Sequence, residues 1–381
     1  MKKKMLCNII AFLFIIVGLL VIEGVFLAID FDFSRLNTET YQIGTYRHDA
    51  DDGLNEIEIN TTFFDVKILP MSEGEEAIVY YPYSENIRHE INWIDGKLSI
   101  VVVDGRAWYE KWSFVNVETN STVIEVHLPH RHYEKLKILA GSGDVNVTGE
   151  YNGKDVLSFG NVSVETGSGD IAFSATMMKQ DTPYNAGFSS GSGDVYLRGI
   201  QCVPVSVTTD SGSITLRDCV STSSFRLRSS SGDIRVDNVA SAESEFIHIL
   251  GDTGDVKLSH VMIGALKVTT DTGDVELLDV LLEGELRIEI DTGDVEIERS
   301  DAGSLWIETD TGDVELELLT GKTYFVETDT GDVRHPPQDQ GGGQCHVETD
   351  TGDVEITLFS DRHHDDQNKK GSILRYSLFA V

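Results

Sequence analysis

Six copies of Asp-Thr-Gly-Asp stand in the second half of the chain and set carboxylates in two regular rows. Asp252, Asp271, Asp291, Asp310, Asp329 and Asp350 precede the glycine, and Asp255, Asp274, Asp294, Asp313, Asp332 and Asp353 follow it. Paired carboxylate oxygens are the donors a hard cation takes, so these twelve residues are the candidate ligands for Ca2+, the one cofactor the pattern suggests. The spacing matches neither the EF-hand loop nor the nonapeptide calcium repeat, so calcium rests on charge geometry alone. The bland use of the same residues is structural: an aspartate beside a turn accepts hydrogen bonds from turn N–H groups, as in an Asx-turn. Glu276, Glu296, Glu315 and Glu355 make a third row, and Glu289, Glu308, Glu327 and Glu348 a fourth. Such rows read as a solvated, repulsive face that prevents edge association, or as a surface for a cationic protein or peptide whose hold would weaken steeply with salt.

Other chemistry is thinner. His127, His130 and His132 cluster after one strand, and His363-His364-Asp365-Asp366 lies in the tail. Zinc needs three or four convergent ligands, and surface histidines are the commoner reading. Trp93, Trp108, Tyr109, Trp112 and Phe114 enrich one stretch near Arg106 and Lys111, which suits packing as well as a sugar or protein contact. No G-x-S-x-G, P-loop or dinucleotide fingerprint occurs. Carboxylate pairs can cleave glycosides, but here the acids repeat alike in every copy, whereas a catalytic site would break the repeat locally. The expectation is a protein without catalytic residues and without a small-molecule substrate. Four cysteines, Cys7 among them, are too few for a disulfide framework, and none shows C-x-x-C spacing.

The elements that must position the acids follow from a repeat. A glycine followed by Asp-Val, Asp-Ile or Ser-Ile recurs at Gly143, Gly169, Gly193, Gly212, Gly232, Gly254, Gly273, Gly293, Gly312, Gly331 and Gly352. An interval of about twenty residues held this long marks a repeat architecture. Each copy alternates in polarity. Leu305, Ile307 and Thr309 share one face against Trp306, Glu308 and Asp310, and after the turn Val314, Leu316 and Leu318 face away from Asp313, Glu315 and Glu317. Period two with one apolar face reads as half-buried strand. The glycine is expected to supply positive φ. Further glycines at Gly264, Gly284, Gly303 and Gly321 mark a second turn. One copy cannot bury its own apolar face, so the copies stack as rungs of a parallel β-solenoid with two main faces. An antiparallel meander is the rival, since Thr-Gly also suits a hairpin. In the solenoid, matching residues of successive copies fall in columns about 4.8 Å apart, where two full charges repel by about 0.9 kcal/mol in water.

The flanks complete the fold class: all-β, with one N-terminal transmembrane helix, a β-rich cap and the solenoid. Residues 1–29 hold Lys2, Lys3 and Lys4 and then an apolar run close to the ~20 residues that cross a bilayer. The lysines stay cytoplasmic by the positive-inside rule, so this is a single-pass anchor with the bulk of the chain outside. A cleaved signal peptide is the alternative. Residues 30–55 are a linker, 56–140 a β-rich N-terminal module, 141–357 the Gly-Asp solenoid, and 358–381 a polar loop and C-terminal cap that closes the last rung. With 64 acidic against 30 basic residues the net charge is −34. That excludes nucleic acid and docking on an anionic lipid surface.

Several features together resemble the bacterial "putative adhesin" β-strand-repeat family, whose function is not established. They are Asp65-Val66-Lys67-Ile68, Gly96-Lys97-Leu98-Ser99-Ile100, Val126-His127-Leu128-Pro129, and the Ser-Gly-Asp-Val/Ile of 142–145, 168–171 and 231–234. The resemblance spans 56–357 and implies an envelope-facing bacterial β-solenoid with no established catalytic residues. The Asp-Thr-Gly-Asp form of the last six copies departs from the family's Ser-Ser-Gly-Asp. Two functions follow as expectations: an adhesin-like or scaffold surface meeting an envelope polymer, a protein or a host-surface ligand, or an accessory component of envelope-stress sensing that acts through a membrane partner.

Overall fold

The computed structural model describes residues 41–49, 53–71, 76–105, 122–177, 184–201, 204–221, 224–241, 246–339 and 341–359. The anchor over 1–29, the aromatics from Trp108 to Phe114, the histidines at 363 and 364 and the cap over 371–381 lie outside them. The described residues are all-β. Among them no helix is long and apolar enough to cross a membrane. The chain divides into two compact units, Met1–Gly169 and Asp170–Val381.

The first unit contains β1 (Gln42–Asp49), β2 (Glu56–Thr61), β3 (Asp65–Pro70), β4 (Glu76–Tyr83), β5 (Ile87–Ile94), β6 (Lys97–Asp104), β7 (Val123–Leu128), β8 (His132–Ala140), β9 (Val145–Thr148), a small hairpin of β10 (Glu150–Tyr151) and β11 (Lys154–Asp155), and β12 (Ser158–Thr166). One sheet runs β1-β4-β7-β3-β9 and the other β5-β6-β2-β8-β12. Parallel pairs form the inner part, with β3 between β7 and β9 and β2 between β6 and β8. Antiparallel pairs finish the outer edges, β4 on β7, β1 on β4 and β5 on β6. Ile57, Ile59, Val66, Ile68, Ile124, Val126, Leu136 and Ile138 fill the interior. They come from alternate positions of these strands, as a pleated ribbon requires.

The second unit holds β13 (Ile171–Ser174), β14 (Thr176–Met177), β15 (Ala186–Ser190), β16 (Val195–Arg198), β17 (Val205–Thr209), β18 (Ile214–Ser221), β19 (Phe225–Ser229), β20 (Ile234–Ser241), β21 (Phe246–Gly251), β22 (Val256–Ile263), β23 (Ala265–Thr272), β24 (Val275–Leu282), β25 (Glu285–Thr292), β26 (Val295–Ser300), β27 (Ser304–Thr311), β28 (Val314–Leu318), β29 (Thr323–Thr330), β30 (Val333–Arg334), β31 (Gln344–Thr351) and β32 (Val354–Leu358). Consecutive strands from β15 onward fall in opposite sheets, and strands one period apart pair in parallel. That is a winding chain with two parallel sheets, the solenoid rather than the meander. Core columns run through it. Val195, Ile214, Ile234, Val256, Val275, Val295, Val314 and Val354 line one, and Val207, Leu227, Ile249, Val268, Ile288, Ile307 and Val347 another, all buried. Each such side chain gains about 1.5–3 kcal/mol by leaving water.

Two expectations need correction. The first concerns order. The copies do not all stack in sequence order: β31 lies between β27 and β29, and β32 between β28 and β30. The acidic rows therefore run Asp310, Asp350, Asp329 and Asp313, Asp353, Asp332 at this end. The nine residues from His335 to Gly343, with Pro336-Pro337, span the return, because proline cannot donate to a ladder. The second correction concerns the turn glycines. Positive φ occurs at Gly254, Gly273, Gly293, Gly312, Gly331 and Gly352, from 128° to 158°, but not at Gly143, Gly169, Gly212 or Gly232. What these positions share is close approach. A Cβ on Gly169 would collide with the Gly143 carbonyl, on Gly232 with that of Gly212, and on Gly312 with that of Gly293. Turn stacks upon turn too tightly for any side chain.

Candidate functional site

The repeated turn is built from three residues. Three positions before the glycine stands a buried hydroxyl, at Thr166, Ser190, Thr209, Ser229, Thr270, Thr309 and Thr349. In the earlier copies its oxygen accepts the glycine N–H, at 3.0 Å for Gly169 on Thr166, 2.8 Å for Gly193 on Ser190 and 2.9 Å for Gly232 on Ser229. The same hydroxyl donates to the turn carbonyl of the neighbouring rung, as from Ser229 to Gly212 at 2.9 Å. A buried polar group that gives and receives in this way leaves nothing unpaired.

The aspartate after the glycine then links rungs. Its Oδ1 accepts the backbone N–H of the equivalent residue one rung on. Asp255 bonds to Asp233 at 3.1 Å, Asp274 to Asp255 at 3.2 Å, Asp294 to Asp274 at 2.9 Å, Asp313 to Asp294 at 2.8 Å, Asp353 to Asp313 at 2.7 Å and Asp332 to Asp353 at 2.8 Å, N–H to carboxylate in each case. The hydrogen bond crosses between copies instead of closing within one Asx-turn. It is a charge-assisted bond, and its regular use offsets the repulsion of carboxylates in file. The other row, Asp252, Asp271, Asp291, Asp310, Asp350 and Asp329, is exposed, as are Asp274, Asp294, Asp313, Asp353 and Asp332. Among the described residues no group of three or more His, Cys, Asp or Glu side chains comes together to hold a metal ion.

The glutamate rows also stack. Glu276, Glu296, Glu315 and Glu355 are successive partners, with Lys257 at one end and Arg334 at the other. The Lys257 ammonium donates to Glu276 at 2.8 Å. Glu296, Glu298, Glu315, Glu317 and Glu355 line an open groove of about 550 Å³. Burial, then the charges of Glu298, Glu276 and Glu315, raise the Glu296 carboxyl above its ordinary range. On the opposite sheet Glu289, Glu308, Glu348 and Glu327 follow one another. Beside them runs a column of cations and rings: Arg226, His248, Lys267, Arg287, Trp306, His346 and Phe325. Trp306 stacks on His346 with centroids 4.1 Å apart, and Arg287 lies 5.2 Å from the Trp306 ring. Glu289 takes bonds from Lys267 at 3.0 Å and Arg287 at 2.6 Å. Burial pushes its carboxyl up, but these cations outweigh it and the pKa is lowered.

In the first unit the three sequence-singled histidines go separate ways. His127 meets Glu125 at 3.3 Å and Tyr80, His130 lies by Tyr151, and His132 contacts Ser158 at 3.1 Å. Trp93 packs on His48 at 3.9 Å. A separate open cleft of about 570 Å³ is lined by Tyr81, Tyr83, Ser84, Glu85, Ile87, Arg88 and His89. The His89 ring bonds to the Pro82 carbonyl, and burial lowers its pKa against that bond.

Sequence reasoning missed two features. Gly199, Asp218, Asn238, His260, Asp279 and Arg299 all adopt φ between 47° and 70°, four residues after the first core residue of each rung. Side chains at and beside these positions form a polar ladder, with Arg198 on Asp218 and Arg299 on Asp279 at 3.0 Å, and His260 between Asp237 and Asp279. No single residue type marks the position, so only the spacing could have shown it. The other feature is the pair of buried Lys322 and partly buried Asp301, 2.6 Å apart, which breaks the repeat locally.

Three solved structures align with most of this chain at low identity. A "putative cell adhesion protein" from Clostridium sporogenes is 9% identical, covering 84% of this chain and 100% of that one at a TM-score of 0.18. A "putative lipid binding protein" from Parabacteroides distasonis is 13% identical, covering 82% and 97% at 0.34. A "putative adhesin" from Bacteroides fragilis is 9% identical, covering 84% and 97% at 0.28. No curated protein matches the sequence. The Toastrack DUF4097 family profile matches residues 54–248 and 243–373, more than half of the chain, and the chain therefore belongs to the Toastrack DUF4097 family.

Proposed function

We propose that this chain is a non-enzymatic surface protein of the bacterial envelope, tethered by residues 1–29, whose second unit presents repeated side chains to an envelope polymer, a protein or a host-surface ligand. The observation that carries this reading is the register of the outward columns. Glu276, Glu296, Glu315 and Glu355, and Glu289, Glu308, Glu348 and Glu327, place the same group on rung after rung. A periodic surface suits a periodic or extended partner, which gains many weak contacts in one binding event. The aspartates contribute backbone bonding between rungs, so the fold itself accounts for one of the two acidic rows.

The test is retention of the purified chain by cell-wall polymer and by host matrix, with photo-crosslinking in the membrane run alongside. Retention that falls with salt, as a contact made by the glutamate rows would, supports the surface reading. Crosslinking to a membrane kinase or transporter without retention on either polymer would replace it with the envelope-stress role.

A further inference from the structure

At the second turn between rungs one cation is taken out of water. There the ammonium of Lys322 is buried, its side chain 3% exposed, and sits 2.6 Å from Oδ1 of Asp301. The same Nζ donates to the Ala302 carbonyl at 2.7 Å. Oδ1 also accepts the Ala302 N–H at 2.8 Å. The other carboxylate oxygen, Oδ2, is buried and has no hydrogen-bond partner. An unpaired buried carboxylate oxygen is costly, and an ordinary ion pair gives no reason for it. Both backbones are fixed. Asp301 is held by Val280 and Leu282, and Lys322 by Asp339 and the Tyr324 hydroxyl.

We propose that Lys322 and Asp301 condense into an intramolecular amide, a covalent staple across the turn where the rung order is inverted. The reacting species are the neutral amine and the carboxylic acid, which differ from the ion pair by one proton passed across the contact. Nζ attacks Cγ, the N–C bond forms, and the bond from Cγ to Oδ2 breaks. In the tetrahedral adduct the acid proton on Oδ1 and the proton lost by nitrogen both pass to Oδ2, which leaves as one water. No oxidant, reductant or cofactor enters. The product satisfies every group in the site. Oδ1 stays as the amide carbonyl and keeps the Ala302 N–H, the remaining N–H of Nζ keeps the Ala302 carbonyl, and the unpartnered oxygen is gone. Fixed contact between the two groups replaces a second-order encounter, and burial keeps out the water that would reverse the step. The staple does not depend on the surface reading above: either can fail alone.

The experiment is proteolytic digestion of the full chain under denaturing conditions, followed by mass spectrometry. The expected product is one branched peptide joining the Asp301 and Lys322 segments, lighter than their sum by one water and absent from Lys322→Arg, which keeps the cation but offers no such nucleophile. Two linear peptides of unaltered mass would overturn the proposal. So would a dehydrated but linear Asp301 peptide, which signals a succinimide, or a branch that persists in Lys322→Arg. The wild-type digest decides the matter even if the variant does not fold.

Discussion

Both units invert the order of their rungs near one end, and they finish that end differently. In the first unit the chain lays down β2 and β3, adds β6 and β7 on one side, then passes to the other side with β8 and β9. Over the outer rung it folds β1, β4 and β5 in antiparallel fashion. In the second unit β31 and β32 slip inside β29 and β30. Among the described residues no strand covers β29 and β30, where Phe325 is 50% and Val333 40% exposed. An uncovered parallel edge invites association. The difference teaches that a solenoid end can be managed by covering it or by fastening it from within. The second unit carries the Lys322–Asp301 contact and a two-residue outermost strand, and spaces its outer edge with Glu327 and Asp329.

The contrast can be broken most forcefully at the stacked turns, which both units share. Gly312→Ala should cost about 3 kcal/mol, because the new methyl meets the Gly293 carbonyl and cannot be relieved by a flexible neighbour. Gly143→Ala in the first unit should cost nearly as much, through the Phe64 carbonyl. Gly153→Ala, with φ of 75° and open space around it, should cost about 1 kcal/mol. Denaturant midpoints at constant m-value measure all three.

The internal fastening comes next. Lys322→Met leaves the partly buried Asp301 without a cation, a change worth about 3 kcal/mol, and hydrogen exchange should locate the loosening in β29 and β31. Equal loosening in β4 and β5 would mean that the two ends are not managed separately.

The aspartate rows separate at a smaller scale. Asp294→Ala removes the acceptor of the Asp313 N–H and should cost about 1 kcal/mol, whereas Asp291→Ala, exposed, should stay within about 0.5 kcal/mol. With Oδ1 of the aspartates after the glycine committed to amides, Ca2+ up to millimolar concentration should leave the melting midpoint unchanged. A rise would restore the cation reading.

The smallest effects distinguish the units by pH. Bonds from Lys97 and Lys137 lower the Glu58 carboxyl of the first unit below its ordinary 4.5. A lowered acid contributes stability that is present above 4.5 and lost as pH falls through the folded value. Glu296 of the second unit is raised above 4.5, so its contribution is favourable below 4.5 and lost as pH rises through the folded value. Glu58→Gln should therefore destabilise at neutral pH by about 0.5 kcal/mol. Glu296→Gln should stabilise there, and the two effects should fade together in acid. Parallel pH series of thermal melts compare them.

Much of this architecture is legible in the sequence. Period two, the turn glycine and matched acids at a fixed interval dictate strands, turns and columns, and the core falls where alternation puts it. The inverted order is not legible, because Val326-Glu327-Thr328-Asp329 and Val347-Glu348-Thr349-Asp350 are the same four residues and either rung fits either place. Only the long passage through Pro336-Pro337 to Gly343 hints at a detour. The glycines stand out for the wrong reason: positive φ is visible in a single turn, but the collision with the next carbonyl exists only in the stack. The polar ladder from Gly199 to Arg299 is hidden because five residue types occupy one backbone conformation. The Lys322–Asp301 contact joins residues that follow no motif.

The stacking order itself is open to one direct measurement. Glu315 and Glu355 are register partners, whereas Arg334, nearer to Glu315 in sequence, partners Glu355 from the far side. A disulfide needs Cα atoms about 4.4–6.8 Å apart, the spacing of one rung and not of two. Oxidation of a Glu315→Cys, Glu355→Cys double variant should give a rapid intramolecular disulfide, and a Glu315→Cys, Arg334→Cys variant should give none. Ready crosslinking of 315 to 334 with none between 315 and 355 would contradict the inverted solenoid.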